Sequence, residues 1–406
     1  MNRRDLRPRE AWERNQYVMT AVVFVVFTGF AFVLPFLPLF VRELGVDDPE
    51  KAVLWAGALI GVSPLLAGLL APVWGRLADH YGQKKMALRA LVSYVFLLAL
   101  SAMVRDVYQL LACRIGIGLF GGIGPLGLAM ATSRTPREHT GRAVGFIQAA
   151  QILSAAVGPL AGGALADTIG VRRTFLVTSA LCAVSIVLLA RFYEEGERPA
   201  ADTALPAGGI SFGGVVRLAG VPGLLVVLFL VNFVGRSFTP ILPLHLERLG
   251  VPARQLASAT GALISAYSIA AALSATILGR ASRTLPPRRL LAASLAGGAL
   301  TVAPMSAVST FPEFLALAAL LGLASGGALT LSYTIGGLMV PAHAKTTAFG
   351  FFSGAALFGG ALSPSVAGLI AHWHLLGIYW VDAALFGFLA IALVVARRTQ
   401  TARAAG

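Results

Sequence analysis

Twelve apolar runs constrain what this chain can fold into more than any other feature. They fall at about 17–41, 52–74, 86–104, 109–132, 143–166, 174–193, 221–246, 256–279, 290–309, 314–339, 347–371 and 375–396. Each can cross a hydrocarbon core of about 30 Å at about 1.5 Å per helical residue. Of the 406 residues, 57% are hydrophobic and 12% charged, about half the charge of an ordinary soluble domain. Inside a bilayer each backbone N–H and C=O must find a partner within the protein, so such runs are helices. The expected class is an all-α membrane protein embedded in the lipid bilayer.

The net charge of +14 could in isolation suggest nucleic acid, but the cations are confined to short loops between the runs. Counting loops alternately, 23 Lys and Arg fall on the side of the N-terminal tail and seven on the other, with Arg114 and Arg236 left inside runs. Basic residues accumulate in cytoplasmic loops, which accounts for the charge without nucleic acid and places both termini in the cytoplasm. The polar tail Met1–Gln16 leads into the first run with no small-residue cleavage site, so the first helix is expected to be retained. Cys113 and Cys182 lie inside runs, without partners at metal-binding spacing.

One long hydrophilic interval, 194–219, carries Glu194, Glu195, Glu197, Arg198, Pro199 and Pro206. It divides the chain into residues 1–193, a cytoplasmic linker over 194–219 with a short surface helix expected at 210–219, and residues 220–406. The halves are related. Leu34-Pro35-Phe36-Leu37-Pro38-Leu39, ending in Leu44-Gly45-Val46, recurs as Thr239-Pro240-Ile241-Leu242-Pro243-Leu244, ending in Leu249-Gly250-Val251. Gly145-Phe146 and Pro159 recur as Gly350-Phe351 and Pro364, again 205 residues on. Six spans per half let a direct repeat keep one orientation, so the expected symmetry axis lies along the membrane normal.

Between the second and third runs stands Gly75-Arg76-Leu77-Ala78-Asp79-His80-Tyr81-Gly82-Gln83-Lys84-Lys85. The reading from residues alone is a tight charged turn in which Gly75 and Gly82 ease a sharp approach of helix ends. Asp79 would then lie where a carboxylate can meet a helix N-terminus. This stretch resembles the loop signature of the major facilitator superfamily, roughly G-x-L-A-D-x-x-G-x-[RK]-[RK]. The resemblance implies twelve transmembrane helices in two pseudo-symmetric six-helix bundles, a midplane substrate site and alternating access. It also implies that Gly75, Asp79, Gly82, Lys84 and Lys85 form a conformational latch, with Asp79 near the start of helix 11 at Lys345–Thr347. In the second half Arg283 stands in place of Asp79 and Pro286 in place of Gly82, so the latch is expected on one side only.

Two further spans carry motifs. Arg114 sits about five residues into span 4, where a charged side chain costs on the order of 3 kcal/mol. It either snorkels to the near surface or faces protein and water; the family's helix-4 pattern R-x-x-x-G associates it with proton coupling. In span 5, Gly145, Ser154, Gly158-Pro159 and Gly162-Gly163 fit the antiporter pattern G-x8-G-x3-G-P-x2-G-G, with Ser154 replacing one glycine. Gly158 and Gly162 share a helix face and permit close packing, and Pro159 allows a bend. Within the superfamily this pattern resembles the bacterial twelve-helix drug:proton antiporters. A degenerate copy reads Gly359, Ser363-Pro364, Ala367-Gly368.

The other intramembrane polar groups are Gln148 and Gln151 in span 5, Asn232 and Arg236 one turn apart in span 7, and Tyr94, Tyr267 and Tyr333. These are candidates for a substrate cavity. The one carboxylate within a span is Asp382 in span 12, either a proton site or a structural acid; spans 1 and 4, where many proton-coupled relatives carry one, have none. No nucleophile–base pair or metal cluster appears, and no G-x-x-x-x-G-K-[ST] loop, so the chain is expected to be no enzyme, to need no cofactor and to draw on an ion gradient or on the substrate's own gradient. The resemblance implies a monomeric transporter of the inner membrane, exporting small amphipathic molecules in exchange for protons. Two alternatives remain at this point, an uptake symporter for a sugar or organic acid and a non-transporting membrane sensor or scaffold.

Overall fold

The computed structural model describes residues 8–132, 135–136, 139–195, 218, 220–340 and 345–405. Their regular structure is helical throughout. The first half contains α1 (Pro8–Ala31), α2 (Leu37–Glu43), α3 (Pro49–Tyr81), α4 (Gln83–Ser101), α5 (Val107–Phe120), α6 (Ile123–Thr132), α7 (Thr140–Ile169) and α8 (Val171–Phe192). The second contains α9 (Val221–Ser237), α10 (Leu242–Arg248), α11 (Leu256–Ala281), α12 (Pro287–Val302), α13 (Phe311–Ser325), α14 (Ala328–Met339), α15 (Lys345–Trp373) and α16 (Gly377–Ala405). These follow the order of the twelve expected spans, with spans 1, 4, 7 and 10 each broken in two. Among the described residues eight helical stretches are long and apolar enough to cross a membrane, and α9 with α10, bent by 43°, makes a ninth. Large apolar side chains face outward, among them Phe96 at 71% exposure, Leu300 at 77% and Ile391 at 67%. A water-soluble surface does not carry such a coat; acyl chains do.

The four breaks follow from local chemistry. Pro35 and Pro38, like Pro240 and Pro243, cannot donate the hydrogen bond that would continue a helix. In spans 4 and 10 the chain breaks at Gly121-Gly122 and at Gly326-Gly327, again 205 residues apart. A break in hydrocarbon leaves backbone groups in need of partners, and hydroxyls supply them. The Gly122 N–H donates to the Tyr94 hydroxyl at 3.3 Å, and the Gly327 N–H donates to Ser274 Oγ at 3.1 Å.

Two boundaries differ from the sequence-based expectation. Helix α1 begins at Pro8, so residues 8–16 of the polar tail are the first turns of a helix that reaches beyond the apolar run. The loop signature is also less of a loop than expected. Residues Gly75–Tyr81 continue α3, and the turn into α4 is made by Gly82 alone, at φ +103°. A backbone in that region accepts glycine where other residues are strained, which is why one residue suffices. No close approach occurs at Gly75, where an added Cβ would meet nothing within 4 Å. The expected surface helix at 210–219 falls largely outside the described residues.

By contacts the chain forms two compact units, one of residues 1–46, 62–199 and 254–261 and the other of 47–61, 200–253 and 262–406. In the first, α7 packs on α1 through the span-5 motif. A Cβ on Gly158 would lie 2.5 Å from Ala31 Cβ, and one on Gly162 would lie 2.9 Å from Phe32 O. Gly163 makes the same kind of approach to the backbone at Ala257 and Ser258 in the same unit. Ser154, at the motif's substituted position, shares hydroxyl hydrogen bonds with Thr28 Oγ1 (3.1 Å), Phe24 O (3.0 Å) and Ala150 O (2.8 Å). Gly145 has open space around it. The second unit repeats the arrangement. Gly359 lies against the Phe229 backbone of α9, and Ser363 Oγ donates to Phe233 O at 2.5 Å. Small residues thus bring backbones together where lipid offers no hydrophobic drive for association. Gly162→Leu should overpack this seam and cost about 1–3 kcal/mol, lowering Tm of the purified protein in detergent. Gly145→Leu, at the other end of the same motif, should leave Tm where it is.

Candidate functional site

Around the loop signature, the first unit is held by reciprocal caps. Lys84 Nζ donates to Ala190 O at 2.9 Å and Tyr193 O at 2.7 Å, neutralising the negative C-terminal end of α8. Glu195 Oε1 in turn accepts from the Lys84 backbone N–H at 3.1 Å, at the N-terminus of α4. Glu194 is bound as firmly. Its N–H and C=O both pair with the Asn15 side chain, at 3.0 and 2.8 Å, and its carboxylate meets Arg14 at 2.6 Å. The first two acids of the interval expected as a linker therefore belong to the fold of the first unit. Lys85 is exposed. The side chain of Asp79, and those of Lys345–Thr347, lie outside the described residues.

Arg114 is sealed at 2% exposure on α5, so it does not snorkel to a surface. Its guanidinium lies within electrostatic reach of Tyr94. Tyr94 is itself buried, its hydroxyl bonded at the span-4 break and its ring edge-on to Phe30 at 5.0 Å. That tyrosine is thus part of the structural repair of a helix break. On α7, Gln148 is exposed and Gln151 half-buried.

In the second unit, Arg236 is exposed to open space although it belongs to the last turn of the apolar helix α9, and Asn232 beside it is half-buried. The niche they occupy is left by Gly360 of α15. A Cβ there would lie 3.1 Å from Arg236 Cδ and 3.6 Å from Asn232 Oδ1. Tyr267 reaches the same place from α11, within electrostatic range of Arg236 and edge-on to Phe238 at 5.6 Å. Arg236, Asn232 and Tyr267 therefore come together, while Tyr333 stands apart, stacked on Phe349 at 6.0 Å. Among the described residues no carboxylate forms an ion pair with Arg236. Asp382 of α16 is fully buried and bonded to the Ser237 hydroxyl.

Gly360 was not singled out from the sequence, and neither was Asp167. Near the end of α7, the Asp167 carboxylate accepts from the Ala257 and Ser258 N–H groups at 3.2 and 2.8 Å, capping the first turn of α11 within the first unit. An Asp three residues before Gly170, close to a predicted span end, reads in sequence as an ordinary loop acid. The matching positions of the second unit hold His372, 3.9 Å from Glu50 in the first turn of α3. Charge-assisted caps of this kind contribute about 1.5–3 kcal/mol. Asp167→Ala should therefore raise amide hydrogen exchange over 254–261 by about tenfold or more, with the exchange elsewhere in α11 little changed.

Comparison with known proteins is consistent with this construction. The family model described as Major Facilitator Superfamily matches residues 19–260 and 224–406. The Multidrug resistance protein MdtG of Yersinia enterocolitica is 32% identical over 324 residues, covering 80% of this chain and 78% of that protein. The protein of the same name from Proteus mirabilis is 30% identical over 332 residues, 82% of this chain and 83% of its own length. Among solved structures, the POT family transporter PepTSo superposes with a TM-score of 0.74 at 12% identity, over 95% of this chain and 98% of that one. A bacterial homologue of the human lysosomal transporter Spinster gives 0.71 at 16% identity, over 94% of each chain. These likenesses, with the paired helix breaks and the span-5 seam on α7, lead to one conclusion: the chain belongs to the Major Facilitator Superfamily and is a multi-pass membrane transporter, not an enzyme.

Proposed function

We propose that this transporter exports small amphipathic molecules, drugs among them, across the inner membrane in exchange for protons. The observation that carries the reading is the four-fifths coverage by relatives named as multidrug resistance proteins. The glycine seam on α7 that these residues build supports it. Both termini are cytoplasmic in this reading, the protein acts as a monomer, and residues 1–193 and 220–406 are the two bundles that alternate access, joined by 194–219. Asp79, Gly82 and the lysines after it serve as the latch of the first bundle, and Arg114 contributes to coupling.

Arg236, Asn232 and Tyr267 provide the substrate contacts on the second bundle. An exposed guanidinium in an apolar setting, with no carboxylate paired to it among the described residues, attracts negative charge and repels cations. The substrates favoured are therefore anionic, zwitterionic or neutral amphipaths rather than lipophilic cations. Arg236→Ala should cut export of an amphipathic anion at least tenfold in proteoliposomes and relax the discrimination against cations; full retention of anion export would count against the assignment. For the latch, Asp79→Asn should cripple export while the protein still inserts, and Arg283→Ala should matter much less. Equal damage from both would defeat a one-sided latch.

A further inference from the structure

A second feature of the C-terminal unit is a line of buried polar groups, Ser237, His245, Tyr379 and Asp382, that the proposed substrate contacts do not include. Asp382 has no exposed surface, and its Oδ1 has no hydrogen-bond partner among the described residues. Its Oδ2 meets the Ser237 hydroxyl, which also lies 2.9 Å from Val234 O. That carbonyl is short of its ordinary helical donor, because Phe238, the C-cap of α9, turns its N–H to Arg236 O. A serine hydroxyl has one proton to donate, yet it faces two acceptors. The arrangement is complete when the carboxyl carries a proton: the Asp382 O–H donates to Ser237 Oγ, and the Ser237 O–H donates to Val234 O.

One helical turn before Asp382, Tyr379 is fully buried, within electrostatic reach of it. The Tyr379 hydroxyl is 3.1 Å from Nδ1 of His245, a residue of α10 just before the turn at 249–255. On the other side, Tyr267 of α11 lies within electrostatic reach of both Asp382 and Arg236. The groups that face Asp382 are thus Tyr379 from its own helix, Ser237 from α9 and Tyr267 from α11, with Arg236 and His245 one step further. Among the described residues, no charged group of α12, of the short helical segment 303–306 or of α15 acts on it. Arg248 lies within electrostatic reach of His245.

We infer that Asp382 and Ser237 form the proton-binding site of the exchange, loaded through His245 and Tyr379 and emptied toward the open space at Arg236 and Tyr267. When the carboxyl gives up its proton, the bonding pair stays on Oδ2 and the Ser237 O–H swings from Val234 O to the carboxylate. Val234 O then loses its donor at the end of α9, where span 7 bends by 43° into α10. Arg236 stands in that same turn, so proton release and substrate contact act on one hinge. This rests on the proposed exchange of substrate for protons.

The test uses the full chain in proteoliposomes with norfloxacin, a fluorescent zwitterion, outside and a trapped pH dye inside. Asp382→Asn should lower pH-driven norfloxacin flux at least tenfold, while norfloxacin–norfloxacin exchange at equal pH falls less than threefold. Tyr379→Phe should slow the pH-driven flux severalfold with little change in KM. Gradient-driven flux within twofold of wild type in Asp382→Asn, or an equal fall in both fluxes, would overturn the inference. If Asp382→Asn does not fold, Tyr379→Phe decides by the same two readouts. A wild type that moves norfloxacin without protons would defeat the exchange reading itself. Infrared difference spectra of the protein alone separate the two cases: a buried carboxyl band gained on acidification should vanish in Asp382→Asn, and its persistence would remove the site.

Discussion

A backbone amide in hydrocarbon must be bonded inside the protein or cost several kcal/mol, and the design of this transporter can be traced from that constraint. An unbroken helix meets it automatically. Spans 1, 4, 7 and 10 do not, and at each of them the chain supplies a local remedy. Prolines bring no amide hydrogen to satisfy at 35, 38, 240 and 243, while Tyr94 and Ser274 bond the amides of Gly122 and Gly327. The residues proposed for function collect at such places: Arg114 lies shortly before the span-4 break, and Arg236 and Ser237 lie at the span-7 break. A helix end inside a membrane is where polar side chains already have something to bond, so polar chemistry there costs least to add.

The seams between helices answer to the same solvent. Lipid gives helices little reason to associate through bulk apolar surface, so backbones approach over glycine and serine. The span-5 motif is a row of such positions, and its copy 205 residues later packs α15 on α9 in the same way. The repeat therefore preserves close packing while the charged groups diverge. Asp79 has Arg283 as its counterpart, and Asp167 has His372. Two halves of shared geometry thus carry different charges at matching places.

Much of this was legible in the sequence because hydrocarbon enforces long apolar runs and the repeat doubles every signal. Span order, the internal symmetry and the Gly158–Gly163 seam could be read from residue type and spacing alone. Less legible were features that depend on a partner distant in the chain. The cap by Asp167 needs the first turn of α11, 90 residues away at Ala257, and the Lys84 contacts need the end of α8. Gly360 carries no side chain, so nothing in its own identity announces the niche beside Arg236. The tight charged turn read between spans 2 and 3 is shorter than its residues suggest, because Arg76, Asp79 and His80 look like loop residues yet continue α3. A helix that projects beyond the bilayer exposes such residues without ending. Tyr94 is a polar aromatic in a span whose partner, the Gly122 amide of the span-4 break, is likewise distant in the chain.

The central claim is that substrate and protons cross in opposite directions through this one chain. It is tested most directly by recording internal pH in proteoliposomes of the purified wild-type protein when substrate is added on one side. The account predicts that substrate entering the vesicles drives protons out, with a rate that saturates in substrate and falls at least tenfold in Arg236→Ala for an amphipathic anion. Protons moving in the same direction as substrate, or substrate flux with no change in internal pH, would contradict it.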